Sequence, residues 1–206
     1  MRAQLNKDFE KRPDLLVIFD LAPEGSKILD LGCGEGVLLD HLQRQKKCSG
    51  CGIEFSQEKI IECISKGVFV LHGDLDGGLG NYPDKSFDYV ILSQTLQAVR
   101  RPDLLLKDMV RVGQKAVVSL INIGYIRARL QIALEGVMPI TNSLPHKWFD
   151  TKNIHLSTIC DFRNLCADLD FKIEKEVPLG YRSHALAKLW PNLFAPTCVF
   201  VISRQS

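Results

Sequence analysis

Chemistry in this chain gathers first at Asp30, Gly32, Cys33, Gly34 and Gly36, where an apolar stretch, Lys27-Ile28-Leu29-Asp30-Leu31, runs into a loop with glycine at every second position. The glycines let the backbone turn sharply and let a ligand approach main-chain atoms where a Cβ would clash. Val37-Leu38-Leu39-Asp40-His41-Leu42 then has apolar residues at helical spacing, so a helix N-terminus with its free N–H groups is expected against the loop. Dinucleotide folds hold a pyrophosphate with the spacing G-x-G-x-x-G. Here the spacing is G-x-G-x-G, and the Asp30 carboxylate would repel a diphosphate, so a cationic ligand suits the site better.

Two further acids follow at strand ends. Glu54 closes a short strand 24 positions after Asp30, where nucleotide-binding α/β folds place the acid that accepts hydrogen bonds from ribose hydroxyls. Asp74 follows a third apolar stretch, Val68 to His72, and by its place alone reads as a turn aspartate. Further on, Tyr125, Arg127, Gln131, Trp148 and His155 fall in the longest stretch outside the sheet, residues 122–158, a candidate lid or partner-binding insertion. Arg127 could grip a carboxylate with Gln131 one turn on, or simply face solvent. His155 could act as a general base, or fix the loop through backbone hydrogen bonds.

The elements that must position these groups alternate. Pro13 to Leu21 is expected to be a helix opened by proline, Gln57 to Lys66 a helix with Ile60, Ile61 and Ile64 on one face, and Val68 to His72 a buried strand. Phe87 to Ser93 and Lys115 to Ile121 are further strands, with a helix from Pro102 that Gly113 stops, and Tyr125 to Leu134 is a helix ended by Gly136. Phe171 to Val177 and Thr197 to Ser203 are late strands with no long crossover helix between them, which implies antiparallel pairing at an edge. The fold class is α/β: a doubly wound, mostly parallel seven-stranded sheet in a single domain over 1–206.

Composition narrows the function classes. The 206 residues are 46% apolar and 24% charged, enough for one good core, and a net charge of +2 with no basic block gives no reason to expect a nucleic-acid partner. The polar start and the lack of any apolar run near 20 residues point away from secretion and from the membrane, so a cytoplasmic protein is expected. Seven cysteines are read as structural thiols; Cys48 and Cys51 have C-x-x-C spacing, but no second pair stands at zinc-site spacing and no metal site is expected.

The pattern Asp30-x-Gly32-x-Gly34-x-Gly36 resembles the first motif of class I S-adenosylmethionine (SAM)-dependent methyltransferases, whose ligand carries a sulfonium and an α-ammonium. That resemblance implies a site for SAM or S-adenosylhomocysteine built from Asp30, Gly32, Cys33, Gly34, Gly36, Glu54, Phe55, Asp74, Leu75, Ser93 and Gln94, with Asp74 meeting the adenine amino group. Ser56 stands where related folds often carry Asp or Asn. A closer likeness lies in Ile28 to Gly34, Gly73-Asp74-Leu75-Asp76, Leu92-Ser93-Gln94-Thr95-Leu96-Gln97-Ala98-Val99 and Trp148-Phe149-Asp150-Thr151-Lys152-Asn153-Ile154-His155, which together resemble the MetW family of methionine biosynthesis, to about Val177. This resemblance implies a methyltransferase fold that acts with a homoserine O-acyltransferase, and no established methyl acceptor. For a methyltransferase reaction the candidate catalytic residues are His155, Gln97 and Tyr125. The proline-rich acidic or asparagine motif that grips a target amine in amide and DNA-base N-methyltransferases is absent after the fourth strand.

Overall fold

The computed structural model describes residues 5, 7–180 and 184–205. Seven strands form one sheet in the order β3-β2-β1-β4-β5-β7-β6: β1 Lys27–Leu31, β2 Ser49–Glu54, β3 Val70–His72, β4 Phe87–Ser93, β5 Gly113–Ile121, β6 Phe171–Leu179 and β7 Thr197–Arg204. The pairs among β1 to β5 are parallel, whereas β7 runs antiparallel to both β5 and β6. The antiparallel member thus lies one place in from the edge, and β6 is the edge strand.

The helices are α1 Pro13–Leu21, α2 Val37–Lys46, α3 Gln57–Ser65, α4 Pro102–Val112, α5 Ile126–Leu130, α6 Ile159–Asp168, α7 His184–Leu189 and α8 Pro191–Phe194. Three of the starts have a clear local cause. Proline supplies the first turn of α1 and α4, and Thr158 caps α6 in a reciprocal capping box with Asp161. The apolar periodicity of α4 buries Leu105, Leu106, Met109 and Val110 against the sheet, at roughly 1.5–3 kcal/mol for each fully buried side chain of this size. Strand side chains alternate into two apolar layers. Leu29, Leu31, Val90, Leu92, Val118 and Phe200 pack beneath α4 and α6. On the other face, Ile28, Ile91, Val117 and Val201 pack with Ile18, Leu38 and Leu42 of α1 and α2.

Several expectations need correction. The segment Val68 to His72 is not a buried strand: β3 is three residues long, lies at the sheet edge, and leaves Phe69 and Leu71 exposed, with no strand beyond it among the described residues. Beside this edge, α3 leaves Ile61 and Ile64 of its apolar face exposed and buries Cys63. The Tyr125 to Leu134 helix is an α-helical turn that widens into a π-helix, Gln131–Glu135, before Gly136 ends it in the left-handed region. Residues 181–183, part of the connection expected between the two late strands, lie outside the described residues. Among the described residues no helix is long and apolar enough to cross a membrane.

Candidate ligand site

The carboxyl ends of β1, β2 and β4 open onto a cavity of about 800 Å³. Gly32, Gly34 and Gly36 all have positive φ, between 59° and 72°, which is why the loop after β1 needs glycine there. A Cβ on Gly34 would meet nothing within 4 Å, so this residue presents bare backbone to the cavity. The loop is tied down from β2: Gly32 N and Cys33 N both donate to Ile53 O, at 2.8 and 3.1 Å.

Glu54 shapes the loop from the other side. Its Oε2 accepts from Gly34 N and its Oε1 from Phe55 N and Ser56 N, each at 2.9 Å. Three amide donors hold this carboxylate at the cavity wall and leave about one lone pair, on Oε2, for a further donor. Phe55 stacks on His72, with ring centroids 5.8 Å apart, and adds a flat apolar surface beside Glu54.

Asp30 lies at the cavity floor with 1% of its surface exposed, and its Oδ1 has no hydrogen-bond partner. Burial raises its pKa to about 7, against the lowering pull of Arg12 and with a further push from Glu54. A buried carboxylate oxygen without a donor is what a cationic ligand would satisfy, and this agrees with the ammonium and sulfonium of SAM.

The cavity also brings in residues that sequence reasoning missed. Arg12 lines it and grips Asp14 bidentately, Nε to Oδ1 at 3.0 Å and Nη2 to Oδ2 at 2.9 Å. Asp14 is wholly buried and also accepts from Ser119 Oγ at 2.6 Å. Ser119 Oγ in turn accepts from Gln94 N at 3.1 Å. Gln94 sits at φ 52°, unusual for a residue with a side chain, and lines the same cavity. One buried hydrogen-bonded chain therefore links two walls of the site. The available signal was Arg12-Pro13-Asp14, a charged pair around the helix-opening proline of a largely apolar helix.

A family model described as methionine biosynthesis protein MetW matches residues 12–202. The chain belongs to the MetW family. It is 34% identical over 200 residues, 92% of its length, to the bifunctional methionine biosynthesis protein MetXA/MetW of Rhodopirellula baltica. It is 26% identical over 149 residues, 68% of its length, to norajmaline N-methyltransferase of Rauvolfia serpentina. The chain spans 32% and 49% of the lengths of these two relatives. Among solved structures, a SAM-dependent methyltransferase from Thermotoga maritima superimposes with a TM-score of 0.68 at 18% identity, covering 99% of this chain and 93% of that one. The architecture is thus the Rossmann-like methyltransferase fold, and the family match runs past Val177 into β7.

In this MetW-family chain the residues expected around the ligand converge in large part. Asp30, Gly32, Cys33, Gly34, Glu54, Phe55, Asp74, Leu75, Ser93 and Gln94 line the cavity, joined by Thr95, Lys152 and Asn153. Gly36 does not line it and instead precedes α2, its carbonyl accepting from Asp40 N. Asp74 caps the short 3₁₀ turn Leu75–Gly77 by accepting from Asp76 N, the turn-aspartate reading, while still facing the cavity. Burial, followed by the charge of Asp30, pushes the Cys33 thiol pKa well up, and its sulfur lies 3.9 Å from that of Cys63.

The catalytic candidates fall elsewhere. Gln97 is 3% exposed, and its amide is fully engaged: Nε2 donates to Ile121 O and Ser157 Oγ, and Oε1 accepts from Ile121 N. It is a structural latch because both ends of the amide are bonded within the fold. The His155 Nε2 lies 3.3 Å from Arg100 O, and its backbone N donates to Gln97 O, so it anchors the loop. Tyr125, Arg127 and Gln131 line a separate cavity of about 690 Å³ with Leu130, Leu134 and Ile140. The Gln131 Oε1 is bonded to Ile140 N. Trp148 lines neither cavity and is exposed.

Proposed function

We propose that this chain is a SAM-binding, cytoplasmic member of methionine biosynthesis that acts as an accessory or regulatory partner of a homoserine O-acyltransferase. In this reading it is one methyltransferase-like domain in which the 122–158 segment serves as lid and partner surface. The observation that carries it is the Rhodopirellula relative, in which a MetW-like part shares one polypeptide with a part named MetXA. Such a fusion keeps two proteins of one pathway in contact, and the MetW resemblance implies the acyltransferase as the second.

The ligand half of the reading is supported by the cavity itself. Asp30 offers an unpartnered carboxylate oxygen for a cation, Arg12 a guanidinium beside it for a carboxylate, and Glu54 a fixed carboxylate for hydroxyl donors. A ligand that binds the docked and free states with different affinity shifts the equilibrium between them, and the coupling is reciprocal. SAM, made from methionine, would in this way report the level of the end product to an early step.

The test is the rate of homoserine acyl transfer by the acyltransferase of the same organism, with and without this chain and across a SAM titration. A large, SAM-sensitive change is expected. An unchanged rate, together with no complex in sedimentation, would reject the partnership.

A second reading, methyl transfer to a small acceptor, draws on the likeness to norajmaline N-methyltransferase. In-line positioning could supply most of the acceleration. None of Gln97, His155 and Tyr125 lines the cavity at Asp30, so no base stands ready among the candidates. S-adenosylhomocysteine formation with a pathway metabolite would establish this reading.

A further inference from the structure

Ten of the nineteen large apolar side chains that the described residues leave exposed lie between Leu130 and Leu156. Among them Leu134 is 79% exposed, Trp148 73% and Phe149 68%, and the two aromatic rings stand edge to face with centroids 5.6 Å apart. A concentration of this kind marks an interaction surface, and a Trp beside a second aromatic is the usual make-up of an interface hot spot.

The surface stands on a fixed base. Ile123 N donates to Ser157 O, Ile154 N and His155 N donate to Gln97 O, and the Gln97 amide bridges Ile121 and Ser157. Both ends of the segment are therefore clamped at the carboxyl end of β5, which lowers the ordering cost of docking.

Charge selects the occupant. Residues 122–158 hold four Lys and Arg against two Asp and Glu, an excess equal to the net charge of +2 of the whole chain. Under a two-fold axis this rim would face its own cations, which disfavours a second copy. A membrane surface is also a poor fit, because the short helix carries only Arg127 and Arg129, and the remaining cations, Lys147 and Lys152, stand with Asp150 in the loop, which falls short of the basic amphipathic helix that lies in a bilayer interface.

We propose that this face docks a protein partner through an apolar patch rimmed by carboxylates, and that the partner is the homoserine O-acyltransferase, a step that rests on the reading given above. Lys152 and Asn153, three and four residues beyond Phe149, line the ligand cavity, so the docked partner sits at its mouth. Ligand and partner then alter each other's affinity through shared contacts.

The test measures binding of the full chain to the acyltransferase of the same organism by biolayer interferometry, with Trp148→Asp, Leu134→Asp and, as a control on the separate apolar patch of α3 and β3, Ile61→Asp. The first two variants are expected to raise Kd by about 30-fold or more, with SAM affinity unchanged in calorimetry. The control should bind like the wild type. Wild-type affinity in both Trp148→Asp and Leu134→Asp, or loss confined to Ile61→Asp, would overturn the surface while leaving the partnership standing. No binding by the wild-type chain would remove the partnership and this proposal with it. Trp148-dependent sedimentation with phosphatidylglycerol vesicles, with no acyltransferase binding, would replace the protein partner by a membrane.

Discussion

Ser119 Oγ donates a 2.6 Å hydrogen bond to Oδ2 of Asp14, across 105 residues of sequence and with both side chains sealed from solvent. The same carboxylate is gripped by Arg12. Ser119→Ala leaves a buried charge short of a donor, which costs about 1.5–3 kcal/mol for a hydrogen bond to a charged group. Urea unfolding at neutral pH should show that loss. Because Arg12 and Gln94 are the outer ends of this chain, ligand affinity should fall as well.

Asp30 makes stability depend on pH. Its pKa is raised from 3.8 to about 7 in the fold, so between those values the native state holds a proton that the unfolded state has released. Stability therefore falls as pH rises through this window and levels off above about 7, by an amount on the order of 4 kcal/mol. Asp30→Asn should flatten the profile, giving a variant more stable than wild type at pH 8 in chemical denaturation. A cationic ligand works in the opposite direction. Calorimetry with SAM should give tighter binding at pH 8 than at pH 6, and Asp30→Asn should erase the difference.

Gly34 and Glu54 test the ligand wall. Gly34→Arg places a side chain in the open space of the cavity at a φ of 59°, and SAM binding should disappear. Glu54→Ala removes an acceptor that holds three loop amides. A weakening of about 1.5–3 kcal/mol in SAM affinity is expected, roughly tenfold or more.

Gln97→Ala unfastens the 122–158 segment. Three hydrogen bonds from one buried amide are lost, and groups at Ile121 are left without partners, for a cost of about 2–4 kcal/mol. Hydrogen exchange at the amides of Ile154 and His155, which bond to the Gln97 carbonyl, should quicken more than exchange in β1 or β4.

What could be read in advance was local. The Asp30 to Gly36 loop depends on neighbours in sequence, on glycine at positive φ and on the strand before it, so residue types alone located it. The sheet followed from apolar periodicity. Asp14 could not be read this way, because an acid in the first turn of a helix is ordinarily a solvated one, and only the arrival of β5 beside α1 supplies Ser119. The apolar face of Ile61 and Ile64 shows a related limit: helical spacing shows that a stripe is apolar, while the edge placement of β3 decides that it stays exposed. Gln97 looked like a polar side chain near a ligand, and its burial depends on where the chain returns at Ser157.

Placing β7 inside the sheet has a consequence for how the protein is made. β6 pairs with β7, and β7 is the strand that joins it to β5, so β6 is synthesised before the strand it needs. Until Thr197–Arg204 emerges from the ribosome, the apolar edge of β5 has no partner and β6 has nowhere to go. Assembly of this end of the molecule therefore waits for β7, and during that interval the nascent chain presents an open strand edge to chaperones or to other nascent chains.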